Sequence, residues 1–327
     1  MTVSTGADGA LELTTPGIVV FNPRSFNPPL NPSEDNVFQF TTIHIGEGVT
    51  VKLLSRNLNG PVFWLAQGPV QIDGTIDLSG DDGGAWPSVA GAGGYPGGAP
   101  RSPGYSPVGF TLNEFLVPLV GGSGGSGGET QGGGAGGGAL LIASLTSITI
   151  NGNIIANGGS SSGGFGGNGG TLRLVAPLIE GSGGTISAKG GQPNGADGAV
   201  RIESNDNRFA GTVNCSHAFH GKPLGLFLPP NPPPLVRVES IDGVLLSSQK
   251  FTFSQPSSVK VAVEARNIPT GTVVELQCFS ENGQNQTVKT SPLTGTLERS
   301  QVTAVMSFPK GASRCLASAD WTPPPPR

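Results

Sequence analysis

Short apolar runs recur along the first two thirds of the chain, each time followed by the same succession of polar and apolar positions. Four segments align: 61–80 (PVFWLAQGPVQIDGTIDLSG), 139–159 (ALLIASLTSITINGNIIANGG), 171–191 (TLRLVAPLIEGSGGTISAKGG) and 199–216 (AVRIESNDNRFAGTVNCS). Each opens with an apolar strand of about five residues, then a polar or proline-containing corner. A short strand, a tight turn and a second short strand follow. The turn falls at Asp73 and Gly74, Asn151 and Gly152, Glu180 and Gly181, or Ala210 and Gly211. Segment 37–54, with Gly46, Glu47 and Gly48 at its corner, reads as a fifth, N-terminal member.

The repeats start at 37, 61, 139, 171 and 199, and three of the four steps (24, 32 and 28 residues) suit one coil of a stacked β-architecture. The long step is one coil plus an insertion, 81–138. Alternating Val, Ile and Leu side chains would point into the coil, and glycines at the corners would supply positive φ angles. Asp-Gly or Asn-Gly between alternating apolar residues also suits a hairpin, so a plain antiparallel sandwich is the alternative.

Glycine is concentrated after one recurring strand. Tracts follow Leu78, Ala156 and Ala188: the insertion 81–138, then 160–170, then 190–198. They should therefore emerge side by side along one edge. Kept in register, such tracts can pack backbone against backbone as polyproline-II-like strands, and the alternative is three flexible loops. Inside the insertion, 110–120 (FTLNEFLVPLV) is apolar enough to pack back on the coil.

The composition changes at 228–234 (LPPNPPP), a stiff linker. Beyond it, alternating runs at 235–240, 251–254, 258–265, 272–279, 286–290, 301–308 and 312–319 suit an immunoglobulin- or fibronectin-like β-sandwich over 235–321. A proline-rich tail, 322–327, ends the chain. Cys278 and Cys315 are the disulfide candidates, with two buried free thiols as the alternative, and Trp321 is placed to cap this core.

Composition narrows the function classes. Glycine and proline make up about a quarter of 327 residues, while charged residues are 12% and the net charge is −4. No basic run offers a footprint for nucleic acid, and no apolar stretch is long enough for membrane insertion. No signal peptide is visible at the start of the chain, so export is inferred from fold type alone.

Candidate chemistry is sparse. Asp77, Asp81 and Asp82 form the best carboxylate cluster but read as solvated corner residues. Arg173 and Arg201 read as isolated, outward-facing strand residues. His217 and His220 have a spacing that suits zinc on a helix, yet the segment follows a strand and reads as a cap turn. The expectation is therefore no catalytic residue, no metal and no cofactor.

The series "VFWLAQGPVQIDGTIDLSG", "FLVPLVGGSGGSGG", "GGGALLIAS", "ITINGNIIANGG", "GGTLRLVAP" and "DGAVRIE" resembles a group of glycine-rich bacterial surface proteins over roughly residues 1–225. Their plan is similar to right-handed, pectin-lyase-like β-helix proteins. The resemblance implies an all-β chain: an N-terminal cap over 1–36, then a right-handed parallel β-helix (a solenoid) over 37–227 with the insertion 81–138. It implies an exported protein with no assigned reaction. The expected function is a non-catalytic extracellular or cell-surface structural or adhesive protein. Its partner would be a glycan bound through Trp86, Tyr95, Tyr105 and Phe110, or other copies of itself, joined into fibres through the rod's ends, with 11–30 either capping the first coil or serving as a donated strand. A polysaccharide-degrading lyase or hydrolase is the rival reading.

Overall fold

A computed structural model of the chain describes residues 4–31, 35–58, 60–84, 88–106, 112–226, 228, 234–246, 250–280, 282 and 284–321. Among the described residues the protein is all-β apart from one turn of 3₁₀ helix at Pro23–Ser25, and it divides into two compact units, Met1–Leu228 and Pro229–Arg327.

In the first unit the strands run β1 (Gly9–Leu13), β2 (Gly17–Val20), β3 (Val37–Ile45), β4 (Val49–Lys52) and β5 (Val62–Ala66). Next come β6 (Val70–Ile72), β7 (Thr75–Asp77), β8 (Ala139–Ser144), β9 (Ser147–Ile150) and β10 (Asn153–Ile155). The last are β11 (Thr171–Gly181), β12 (Thr185–Ser187), β13 (Ala199–Phe209), β14 (Thr212–Asn214) and β15 (His217–Gly221). They form a nine-stranded sheet and a six-stranded sheet, and every pairing in both is parallel.

Like side chains stack from strand to strand. Phe38, Trp64, Ile142, Leu174 and Ile202 form one inward row of the larger sheet. Val51, Ile76, Ile154, Ile186 and Val213 form the facing row of the smaller one. The two rows meet in one core, closed at the N-terminal end by Phe21 packed on Phe38 and Trp64. Leu11, Phe21 and Leu30 are buried in their own chain's core, so 11–30 caps this unit here rather than standing free for donation.

Strands β5 and β8 are buried along their whole length, because the larger sheet is covered on both faces. Its outer face carries a second apolar layer, in which Leu116 and Leu119 from the returning insertion and Leu226 cover Phe63, Leu141 and Val175.

The expected right-handed parallel β-helix is corrected by this topology. The first and second strands of each repeat lie in one sheet, and β11 runs unbroken through Pro177, where a corner was expected. Strand β9 pairs with β11, so β11-β8-β5-β3-β6-β9 close on themselves as a six-stranded parallel barrel, and among the described residues the glycine tracts carry no strand. The reason is steric. An ideal Cβ on Gly122, Gly125 or Gly128 would meet the backbone of Asn168, Phe165 or Gly163 at 2.1, 2.1 and 1.6 Å. The contacts advance every third residue, the period of polyproline II, and leave Ser123 and Ser126 between the packed positions. Backbone hydrogen bonds join the tracts, among them Gly122 N to Gly137 O (2.8 Å), Gly134 N to Phe165 O (2.9 Å) and Gly191 N to Gly167 O (2.8 Å).

The corner glycines divide: Gly48 (φ +76°) and Gly181 (φ +146°) have the expected positive φ, and others do not. Gly74 and Gly152 do not have positive φ; a Cβ on Gly152 would lie 1.8 Å from the Gly74 carbonyl oxygen, so close approach selects glycine there. At Gly181 both reasons apply: φ is +146°, and a Cβ would lie 1.9 Å from the Ile150 carbonyl oxygen.

The second unit contains β16 (Leu235–Ile241), β17 (Val244–Leu245), β18 (Lys250–Phe253), β19 (Ser257–Arg266) and β20 (Val273–Ser280). They are followed by β21 (Gln286–Pro292), β22 (Thr294–Gly295), β23 (Ser300–Phe308) and β24 (Gly311–Ala319). Two antiparallel sheets, in the orders β17-β16-β19-β23-β22 and β18-β24-β20-β21, share an apolar core that Trp321 joins at its edge. The expected immunoglobulin-like sandwich is not what these strands build. Cys278 and Cys315 form a disulfide, but they sit opposite each other on adjacent strands of the same sheet, with Cα atoms 4.1 Å apart. An immunoglobulin-type bridge would tie the two sheets together. The tail 322–327 and residues 229–233 of the linker lie outside the described residues.

Candidate functional site

The second segments of the larger sheet build a polar ladder. Along β1, β3, β6, β9, β11 and β13, residues alternate between the core and the outside, so Ile43, Ile45, Ile148, Ile150 and Ile179 face in. The outward positions between them fall in register: Glu12, His44, Gln71, Thr149, Glu180 and Arg208. At the strand spacing of about 4.8 Å, five steps carry this row over roughly 24 Å.

At one end, His44 lies between two carboxylates, with Nδ1 3.2 Å from Glu12 and Nε2 3.5 Å from Asp73. Asp73 also accepts from Gln71 Nε2 (2.7 Å) and from Asn151 Nδ2 (2.9 Å). At the other end a solvent-open trough of about 280 Å³ is lined by Thr149, Asn151, Glu180, Ser182 and Arg208. Asp206 bonds the Arg208 guanidinium and raises its pKa, with Glu180 adding to the field. The ladder therefore offers donors and acceptors at fixed intervals along parallel strands in register. That suits recognition of a ligand carrying many hydroxyl groups.

Of the three carboxylates noted in the sequence, Asp81 is exposed and the other two are engaged elsewhere. Asp77 accepts from Ser79 N and pairs with Lys52 Nζ at 3.5 Å, and Asp82 accepts from Ser160 N at 2.7 Å. His217 and His220 lie on strand β15, not on a cap turn, and three residues apart on a strand they point to opposite faces. Among the described residues, no group of three His, Cys, Asp or Glu is placed to hold a metal.

Of the aromatic binding candidates, Trp86 and Phe110 lie outside the described residues. Tyr95 and Tyr105 are half-buried in the glycine bundle. Tyr95 N donates to Gly122 O (3.0 Å), and the Tyr105 carbonyl accepts from Gly124 N (2.8 Å). Burial pushes the Tyr95 hydroxyl's pKa up. The backbones of both tyrosines take part in the hydrogen bonding of the tracts, and both residues keep part of their surface open.

Arg173 and Arg201 are corrected too. They are partners on β11 and β13, 1% and 6% exposed, and both Nε atoms donate to Glu203 Oε1, at 2.8 and 2.7 Å. A polar residue amid an apolar strand looks solvated until the cover is known, and here the cover is the segment around Leu116, more than fifty residues away in sequence.

The chain matches no described family, and no curated protein or solved structure is similar to it. Its function is therefore argued from this geometry. Among the described residues, no helix is long and apolar enough to cross a membrane.

Proposed function

We propose that the chain is a non-catalytic extracellular or cell-surface protein that holds an extended, hydroxyl-rich glycan along the polar ladder. The observation that carries this reading is the in-register row from Glu12 to Arg208, ending in the Thr149–Glu180–Arg208 trough. Repeated polar groups at a constant step match a repetitive polymer better than a single small molecule. The Cys278–Cys315 disulfide supports an oxidising compartment, and the resemblance to glycine-rich surface proteins points the same way.

The test is binding of the full chain to a panel of neutral and acidic polysaccharides, with product assays run alongside. Retention of one class, lost in Glu180→Gln and Arg208→Ala without a change in melting temperature, supports the reading. Product formation from any glycan in the panel, or binding indifferent to both variants, refutes it.

A further inference from the structure

Three charged groups are buried together on the outer face of the larger sheet: Arg173, Arg201 and Glu203, the last with 0% exposure. Two guanidinium groups face one carboxylate, which leaves one positive charge in excess. Both carboxylate oxygens are already used. Oε1 takes the two Nε donors, and Oε2 accepts from Leu224 N at 2.7 Å. Arg201 spends Nη1 on the Glu114 carbonyl oxygen (2.8 Å) and lies under the Phe115 ring, 5.4 Å from its centroid. Arg173 Nη2 is buried without a hydrogen-bond partner.

We propose that this cluster binds a small monovalent anion, of the halide class, at Arg173 Nη2 beneath the segment 114–119. The cluster lies apart from the ladder, and two costs act on it. A buried guanidinium N–H without an acceptor loses its hydration with no return. A buried charge without a counterion adds a larger penalty. A water molecule would meet the first need but not the second, whereas an anion meets both. The surroundings select its type: Leu116, Leu141 and Val175 are buried nearby, and such an apolar wall suits a weakly hydrated ion over one needing many donors. The covering segment carries one carboxylate, Glu114, but that residue is exposed and meets Arg201 through its backbone carbonyl.

The full chain, crystallised from sodium bromide, tests the site by anomalous scattering. A bromide peak within hydrogen-bond reach of Arg173 Nη2 is expected, and a water there with no halide signal overturns the proposal. In solution, at constant ionic strength set with a bulky organic anion, each tenfold rise in chloride above its Kd should lower the unfolding constant up to tenfold. Arg173→Lys should lose that dependence, and Glu114→Gln should keep it. Unfolding indifferent to chloride, or a dependence lost in Glu114→Gln, contradicts the assignment. The crystallographic arm uses the unaltered protein, so a failure of Arg173→Lys to fold does not protect the idea.

Discussion

Replacing Gly136 with alanine distinguishes an interlocked glycine bundle from a set of flexible loops, because the two predict opposite signs. An ideal Cβ at position 136 lies 1.8 Å from the Gly122 carbonyl oxygen and 2.4 Å from its carbon. Ordinary contact begins near 3.4 Å, so the two backbones must part by about 1.5 Å, and overpacking of this kind costs about 1–3 kcal/mol. The same displacement pulls on Gly136 N to Tyr95 O (2.9 Å) and Gly122 N to Gly137 O (2.8 Å). Losing one of these buried bonds adds about 1–3 kcal/mol. The expected destabilisation is therefore about 2–6 kcal/mol, read from urea unfolding of the full chain by a probe in the first unit, such as the buried Trp64. In a flexible loop, Gly→Ala would instead stabilise by about 0.4–1 kcal/mol through the unfolded chain. Gly84 is the internal control, since a Cβ there meets nothing within 4 Å and its φ is not positive. A Gly136→Ala midpoint equal to or above the wild type would refute the reasoning.

Other consequences are open to test. Reducing the Cys278–Cys315 bridge, which spans 37 residues, should lower the stability of the second unit by about 3–4 kcal/mol on loop-entropy grounds, seen as a lower melting temperature in reductant. At Glu203, burial alone would raise the pKa, but hydrogen bonds from Arg173, the Leu224 amide and Arg201 more than offset it, so the carboxyl titrates below its ordinary value. A lowered folded pKa contributes stability above the unfolded value of about 4.3 and loses it as the pH falls through the folded value. Glu203→Gln should flatten that acid limb in a pH series of unfolding midpoints, and at neutral pH it should cost about 3–5 kcal/mol by stranding two guanidinium groups. Glu264, buried between Arg237 and Arg266 in the second unit, is held low by the same balance, and Glu264→Gln should remove acid sensitivity from that unit separately.

Much of the strand pattern was legible because burial on one face leaves a period of two. The inward isoleucines at 76, 154 and 186 mark one row of the core. The glycine tracts were also traceable to one recurring strand. What local pattern could not carry was partnership. Nothing near Pro177 says that a strand continues through it, since that is decided by β9 and β13 on either side. Cysteine spacing does not reveal whether a bridge joins two sheets or two neighbours in one. Arg173 and Arg201 read as solvated because the segment that buries them arrives from a distant insertion. Tyr95 and Tyr105 read as part of a binding edge, and the tract bonding of their backbones depends on partners that local pattern does not show. The ladder has no local signature, because its members are single polar residues on six separate strands, aligned only by parallel register.

The claim on which the rest depends is that the glycine tracts form a hydrogen-bonded side of the first unit. Amide hydrogen exchange on the intact chain measures this directly, residue by residue. The account predicts that the amides of Gly122, Gly134, Gly137, Gly167 and Gly191 exchange as slowly as those of Ile142 and Leu174 in the sheet. Exchange of these glycine amides at the rate of an unfolded chain, while the sheet stays protected, would contradict it.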